Sequence, residues 1–268
     1  MDSFRDRVAV VTGGGSGIGR ALAEAFAREG ARVVVADVEE SAATAVADAL
    51  RAGGAEALAV RVDVSDREQV HALADRAFAH FGGVHILCNN AGVALHGALH
   101  DMTHRDWEWV LGVNLWGVIH GLEAFLPRMI AQAQPGHVVN TASMAGLIAS
   151  QGLGVYNASK YAVVGISETL VKDLRPHAIG VTVLCPMGVS TRIRESARNR
   201  PARLRSERTP TAAEIELIGK YLEPDAVAGM VLAAVRANRL YVITHDESLE
   251  PLRRRFQRLE QAILNRSR

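Results

Sequence analysis

The sequence predicts a doubly wound α/β fold, a seven-stranded parallel sheet covered by helices on both faces, and three observations carry that expectation. Seven short strand-like runs recur along the 268 residues, at 8–12, 33–37, 58–63, 84–89, 137–141, 181–185 and 240–244. Most are apolar on both sides, as strands buried between helical layers must be, and the segments between them have helical periodicity. The first run leads directly into a glycine-rich turn and then a helix-like run over 20–29. With no linker, repeat or low-complexity tract, residues 1–268 read as one domain.

That first turn is Thr12-Gly13-Gly14-Gly15-Ser16-Gly17-Ile18-Gly19, spaced T-G-x-x-x-G-x-G. Glycine lets the backbone adopt positive φ and approach a ligand closely, and the first amides of the following helix have no internal partner and attract an anion. A strand, a glycine turn and a helix in that order make a cradle for a pyrophosphate. The letters do not fit G-x-G-x-x-G, and a P-loop would need Lys and a hydroxyl where Arg20 and Ala21 stand, which argues against a nucleoside triphosphatase.

The second run ends in Asp37, eighteen positions past Gly19. An acid there accepts hydrogen bonds from an adenosine ribose and repels the 2′-phosphate of NADP, so NAD is the expected cofactor. No cation adjoins it in sequence: Val38 follows, and Ser16 occupies the loop position where a base could meet that phosphate.

Between the fourth and fifth runs, Thr103 with Asp106 resembles a capping box opening a long helix through Met129. The cap interrupts the helix that would otherwise align His96, His100 and His104, and Gly97 weakens it further, so no metal site is expected there. Ser143 lies just past the fifth run, where strand ends face a ligand in such sheets. Without flanking glycines for a nucleophile elbow, it reads as a hydrogen-bond donor rather than a hydrolase nucleophile.

Tyr156 and Lys160 are four apart on a helical segment that Pro176 ends, and so share one face. A phenol with a pKa near 10 is a poor base at neutral pH, and about 4 kcal/mol is needed to bring it near 7. One ammonium at about 4 Å supplies roughly that much at an effective dielectric constant of about 20.

Together these residues resemble the short-chain dehydrogenase/reductase family, in the branch marked by T-G-x-x-x-G-x-G and Y-x-x-x-K. The resemblance covers nearly the whole chain, adding Asp63, Asn89-Asn90-Ala91-Gly92, Asn114, and Pro186 with Val189 and Thr191. It implies a Rossmann-type fold and an enzyme interconverting a secondary alcohol and a ketone. Tyr156 would be the acid/base, Lys160 would lower its pKa and bond the nicotinamide ribose, Ser143 would orient the carbonyl oxygen, and Asn114 would hold a relay water. The cofactor would contact Gly13, Ser16, Gly17, Ile18, Gly19, Asp37, Asp63, Val64, Asn90, Ala91, Gly92, Tyr156, Lys160, Val189 and Thr191. The family also implies a homodimer or homotetramer through the helices near 103–129 and 156–175. One departure stands out: Met187 replaces the glycine that usually follows Pro186, adding bulk beside the substrate.

Two alternatives remain, one within the enzymes and one in another class. An NADPH-using carbonyl reductase would contradict the Asp37 argument, and a nucleotide-sensing protein on the same scaffold would not need both Tyr156 and Lys160.

Two segments carry charge or apolar faces of their own. A substrate lid is expected over about 191–222, its first part, up to Arg208, carrying Arg192, Arg194, Arg198, Arg200, Arg203, Arg205 and Arg208 against Glu195 and Glu207, and Met144, Leu147, Ile148 and Leu153 are candidates for an apolar substrate wall. Over 250–265, Leu252, Phe256, Leu259 and Ile263 recur as one face of an amphipathic helix with arginines between them.

Composition bounds the rest. A chain of this length buries about three quarters of its unfolded surface and needs no disulfide staple, so Cys88 and Cys185 read as reduced, in a cytoplasm. The first apolar run is too short for a signal peptide, and interrupting Gly, Asp, Arg or His residues leave no expected stretch of roughly 20 apolar residues to cross a bilayer. A net charge of +1 offers no global attraction to nucleic acid.

Overall fold

In the computed structural model, which describes residues 1, 3–205 and 219–265, all seven expected strands form one parallel sheet. The strands are β1 (Val8–Thr12), β2 (Arg32–Asp37), β3 (Ala57–Arg61), β4 (Ile86–Asn89), β5 (Gly136–Thr141), β6 (Ile179–Cys185) and β7 (Tyr241–Ile243). Their order in the sheet is β3-β2-β1-β4-β5-β6-β7. The chain winds outward from β1 to β3, then crosses back to place β4 on the other side of β1. That reversal opens a crevice beyond the carboxyl ends of β1 and β4, where open α/β sheets bind ligands.

Alternation along each strand explains the two-sided burial. Val8 and Val10 join one core cluster while Ala9 and Val11 join the other. The helices α1 (Gly17–Arg28), α2 (Glu40–Ala52) and α7 (Pro224–Arg236) cover the Ala9 and Val11 face. The opposite face is covered by α3 (Arg67–Phe81), α5 (Gly117–Ala131) and the end of α6 (Gly154–Asp173). Phe26 and Phe125, one in each layer, are fully buried, and a side chain of that size contributes about 1.5–3 kcal/mol on leaving water.

The helix expected through Met129 is broken into two. Its amino end, α4 (His104–Leu111), carries the expected capping box, with Asp106 N donating to Thr103 Oγ1 and Thr103 N donating to Asp106 Oδ2. A π turn over Gly112–Trp116 then inserts before α5. The whole helical path His104–Ala131 is long and apolar enough to span a membrane, contrary to the sequence-based expectation, but half of its apolar window is buried inside the fold.

The carboxy-terminal helix α8 (Leu249–Leu264) forms as expected, but packs little of its apolar face on its own chain. Leu252 rests on a core cluster, whereas Phe256, Leu259 and Ile263 are at least half exposed. Of the lid, two short 3-10 runs are described, Arg192–Asn199 and Ala202–Leu204; Glu207 and Arg208 lie outside the described residues.

Candidate active site

One cavity of about 770 Å³ sits over the carboxyl ends of β1, β4 and β5 and collects nearly every residue singled out by sequence. All fifteen expected cofactor contacts line it, from the glycine turn through Asp37, Asp63, Val64 and Asn90–Gly92 to Tyr156, Lys160, Val189 and Thr191. Ser143 lines it as well, and Asn114 stands behind the wall.

The glycine turn is locked to the β4 end. Thr12 Oγ1 accepts from Asn90 N at 2.9 Å and Ala91 N at 3.1 Å, and Asn90 Nδ2 donates to Thr12 O at 3.0 Å. Thr12 had been read only as part of the motif, yet its hydroxyl joins the cavity's two backbone rims. Gly13 has φ +64°, and a Cβ on Gly19 would lie 2.0 Å from Gly13 O, so backbone closure itself excludes any side chain there. The cap residue Ser16 makes no side-chain cap bond and α1 has no acid in its first turn, leaving its leading amides available to an anion.

Asp37 is buried at the tip of β2. Its Oδ2 accepts from Gly15 N at 2.8 Å and its Oδ1 from Glu39 N at 3.0 Å. Burial pushes its carboxyl up and these two amides oppose that, the net direction being upward. The fold also brings a cation that was not visible beside Asp37 in sequence. From the lid, Arg198 Nε and Asn199 Nδ2 each donate to Glu39 Oε1 at 2.9 Å, so Glu39 neutralises the guanidinium nearest the expected ribose position.

Asp63 is held by its own turn, its Oδ1 accepting from Ser65 N at 3.0 Å and Ser65 Oγ at 2.7 Å. Val64 is buried against Gly117, where an added Cβ would meet the valine at 2.7 Å. Thr191 packs its methyl on Gly17, closing the cradle from the lid side.

At the other end of the cavity, α6 presents Tyr156 and Lys160 on one face as expected. Lys160 is buried, its Nζ donates to Thr141 O at 2.8 Å, and it stands 5.6 Å from the Tyr156 ring centroid. Burial lowers its pKa to about 8. Burial also raises the Tyr156 phenol above its ordinary value, while a hydrogen bond with Ser143 pulls it down. Burial is the larger of the two causes, so the direction is upward, opposite to the acidification expected from Lys160. Ser143 Oγ also donates to Pro186 O at 3.3 Å.

Asn114 is fully buried within the π turn. Its Oδ1 accepts from Val93 N at 2.8 Å, and its Nδ2 donates to Val93 O at 2.9 Å and Ser159 Oγ at 3.1 Å. The side chain thus bonds the Val93 backbone as a strand neighbour would, tying the loop after β4 to α6. A π turn places one extra residue in the helix, and such turns gather at functional sites.

The substrate-side wall differs from expectation. Met144, Leu147, Ile148 and Leu153 do not line the cavity, and the first three pack into a separate core cluster. Trp107, Trp109, Trp116, Val113, Leu204 and Tyr221 form the apolar wall instead. Met187 does line it, half-buried, with Pro186 before it and Gly188 after. Met187→Gly is expected to widen the range of ketones accepted, raising kcat/KM most for the bulkiest members of a size series; an unchanged series would remove Met187 from specificity.

The chain is similar to known proteins over nearly its whole length. A sequence model of the family described as "short chain dehydrogenase" matches residues 7–202. A C alpha-dehydrogenase from Sphingobium sp. strain SYK-6 is 36% identical, with 98% of this chain and 88% of the relative covered. A 1-deoxy-11-beta-hydroxypentalenate dehydrogenase from Streptomyces exfoliatus is 36% identical over 94% of this chain and 88% of its own length. Among solved structures, a short chain dehydrogenase/reductase from Burkholderia phymatum in complex with NAD superposes with TM-score 0.92 at 43% identity, covering 98% of this chain and 97% of that one.

Proposed function

This chain belongs to the short-chain dehydrogenase/reductase family of oxidoreductases, and from that premise we propose that it is an NAD-dependent enzyme interconverting a secondary alcohol and a ketone. The observation that carries the reading is the joining, in one cavity, of the Tyr156 phenol, its Ser143 partner and buried Lys160 with an uncapped helix start and a buried ribose-side acid.

The residues fit the cofactor. The amides at the start of α1 would hold the pyrophosphate, Asp37 keeps a free lone pair on each oxygen for ribose hydroxyls, and Asp63 and Val64 would contact the adenine. When bound, NAD supplies the hydride acceptor for alcohol oxidation and, reduced, the donor for ketone reduction. Ser143 holds the substrate oxygen beside the phenol. In oxidation Tyr156, as phenolate, takes the alcohol proton; in reduction, as phenol, it returns one to the forming alkoxide. Lys160 keeps positive charge beside the ring below pH about 8 and holds the Thr141 carbonyl, fixing β5 against α6. Asn114 fixes the loop after β4, and a water next to it would link Lys160 to solvent. A screen of ketones and secondary alcohols with NADH or NAD tests the reading; no nicotinamide-dependent turnover on any member would sink it.

A second reading, an NADPH-dependent carbonyl reductase, is favoured by the nearness of Arg198. That guanidinium is committed to Glu39, which leaves the acid at Asp37 to set the local charge. Asp37→Ala is expected to raise the NADP to NAD ratio of kcat/KM by about tenfold or more, the equivalent of one charge interaction of about 1.4 kcal/mol. Glu39→Gln, by freeing Arg198, should shift the ratio the same way. Wild-type turnover that already prefers NADPH would overturn the NAD assignment.

A further inference from the structure

We propose that the substrate carries a carboxylate on an apolar body, and that Arg194 is the residue that recognises this anion; the inference rests on the alcohol/ketone reading above. Four lid arginines line the cavity, Arg192, Arg194, Arg198 and Arg203. Three of them are committed to acids: Arg192 lies 3.1 Å from Glu195, Arg198 2.9 Å from Glu39, and Arg203 2.6 Å from Glu108. Arg194 contacts no carboxylate among the described residues. Its Nη2 donates instead to Tyr221 Oη at 2.5 Å, and its guanidinium stands 5.8 Å from the Tyr221 ring centroid.

Tyr221 is itself held in place. Leu222 N donates to Gly188 O and Ser190 N to Leu222 O, both at 2.9 Å, so the returning chain is bridged to the stretch after β6. A Cβ on Gly188 would lie 3.6 Å from the Tyr221 ring. Gly188 is two residues past Pro186, whose carbonyl accepts from Ser143. A continuous path of contacts therefore runs from the proposed reacting hydroxyls to Arg194, which puts the cation at the substrate end. Near Arg194 in charge reach stands His96, half-buried, its imidazole held below its ordinary pKa first by burial and then by the charge of Arg194.

Guanidinium is the side chain suited to this task. Its planar fork offers five N–H donors, and with one given to Tyr221 the others can grip a carboxylate by two parallel bonds. The remaining wall is aromatic: all three tryptophans of the sequence, Trp107, Trp109 and Trp116, line the same cavity. An anion on an apolar body matches a cation at the rim of an aromatic wall.

The three tryptophans make the test direct. Titrating the free protein with phenylpropionate and with its neutral counterpart phenylpropionamide, and following intrinsic fluorescence, reports binding without turnover. The acid is expected to bind about tenfold more tightly than the amide, and Arg194→Gln to abolish that preference while leaving the amide's affinity unchanged, the scale of one charge-assisted bond. Arg194→Lys should restore part of it, since an ammonium keeps the charge but not the fork. Because Arg194 is exposed, these variants should fold normally. Equal affinity for acid and amide, a preference that survives Arg194→Gln, or no fluorescence response to the acid would each overturn the proposal. Arg194-dependent acid binding without nicotinamide-dependent turnover would instead remove the oxidoreductase reading and leave the anion site standing. Tyr156-dependent turnover indifferent to carboxylates would do the reverse.

Discussion

Replacing Tyr156 with Phe is expected to lower turnover by about 100- to 10,000-fold, the range supplied by a positioned general acid/base. The change removes one oxygen from a half-buried ring and leaves the glycine turn, Asp37 and the β4 loop untouched, so NADH binding followed by fluorescence should stay close to wild type. Loss of both turnover and binding would mean that the hydroxyl supports the cavity rather than the chemistry. Retention of most activity would remove Tyr156 from the proton-transfer role. The direction of the pH dependence follows from the phenol's burial. With its pKa raised in the free enzyme, the phenolate that oxidation requires gains population as pH rises, while the phenol that reduction requires persists at neutral pH. Oxidation measured as kcat/KM should therefore climb toward alkaline pH, and reduction should decline there. Lys160 loses its charge through about pH 8, so the phenolate loses its supporting cation over the same range and the oxidation profile should bend.

The second large effect is expected at the base of the lid. Arg200 and Asp106 form an ion pair at 2.7 Å with side chains only 8% and 2% exposed, and the guanidinium stands 4.9 Å from the Trp109 ring centroid. Asp106 is also the acid of the α4 capping box. Asp106→Ala leaves a buried guanidinium without its acid and removes the reciprocal cap, so a loss of about 3–5 kcal/mol in unfolding free energy is expected. At about 2–4 °C per kcal/mol for a chain of this size, the melting temperature should fall by about 6–20 °C. Arg200→Met combined with Asp106→Leu should cost less than the sum of the single changes, because no charge is then stranded. Equal and additive losses in that cycle would show that the pair is not coupled. Burial pushes the Asp106 carboxyl up, but hydrogen bonds from Thr103 and Arg200 outweigh it and hold it below its ordinary value. The pair's contribution is therefore present above that value and lost as pH falls through the lower folded one, so acid should narrow the gap between wild type and the double variant.

The functional weight of this anchor lies in what it holds. Arg200 follows the run Arg192–Asn199, which reaches Glu39 beside the proposed ribose site, and Ser196 Oγ accepts from Ala94 N at 3.1 Å in the loop after β4. The described part of the lid is therefore fastened around the cavity at these three places as well as through the Arg203–Glu108 pair. Weakening one of them should raise KM more than it lowers kcat.

Sequence alone determined the elements whose causes are local. Seven apolar runs set the strands, Thr103 and Asp106 set a helix start, the glycine spacing set the turn before α1, and the four-residue interval put Tyr156 and Lys160 on one face. Each depends on neighbours within a helical turn or a strand's alternation, and each appears where expected. Tertiary structure decided what depends on distant partners and on the removal of water. It brought Arg198 to Glu39 and Arg200 to Asp106, packed Met144, Leu147 and Ile148 away from the cavity, and left the face of Phe256, Leu259 and Ile263 exposed. It opened a π turn at Asn114, because that side chain satisfies the Val93 backbone in another layer. It also buried the Tyr156 phenol, which pushes its pKa upward, since the cost of desolvating a phenolate is set by everything packed around it, whereas spacing along a helix reports only the position of one cation.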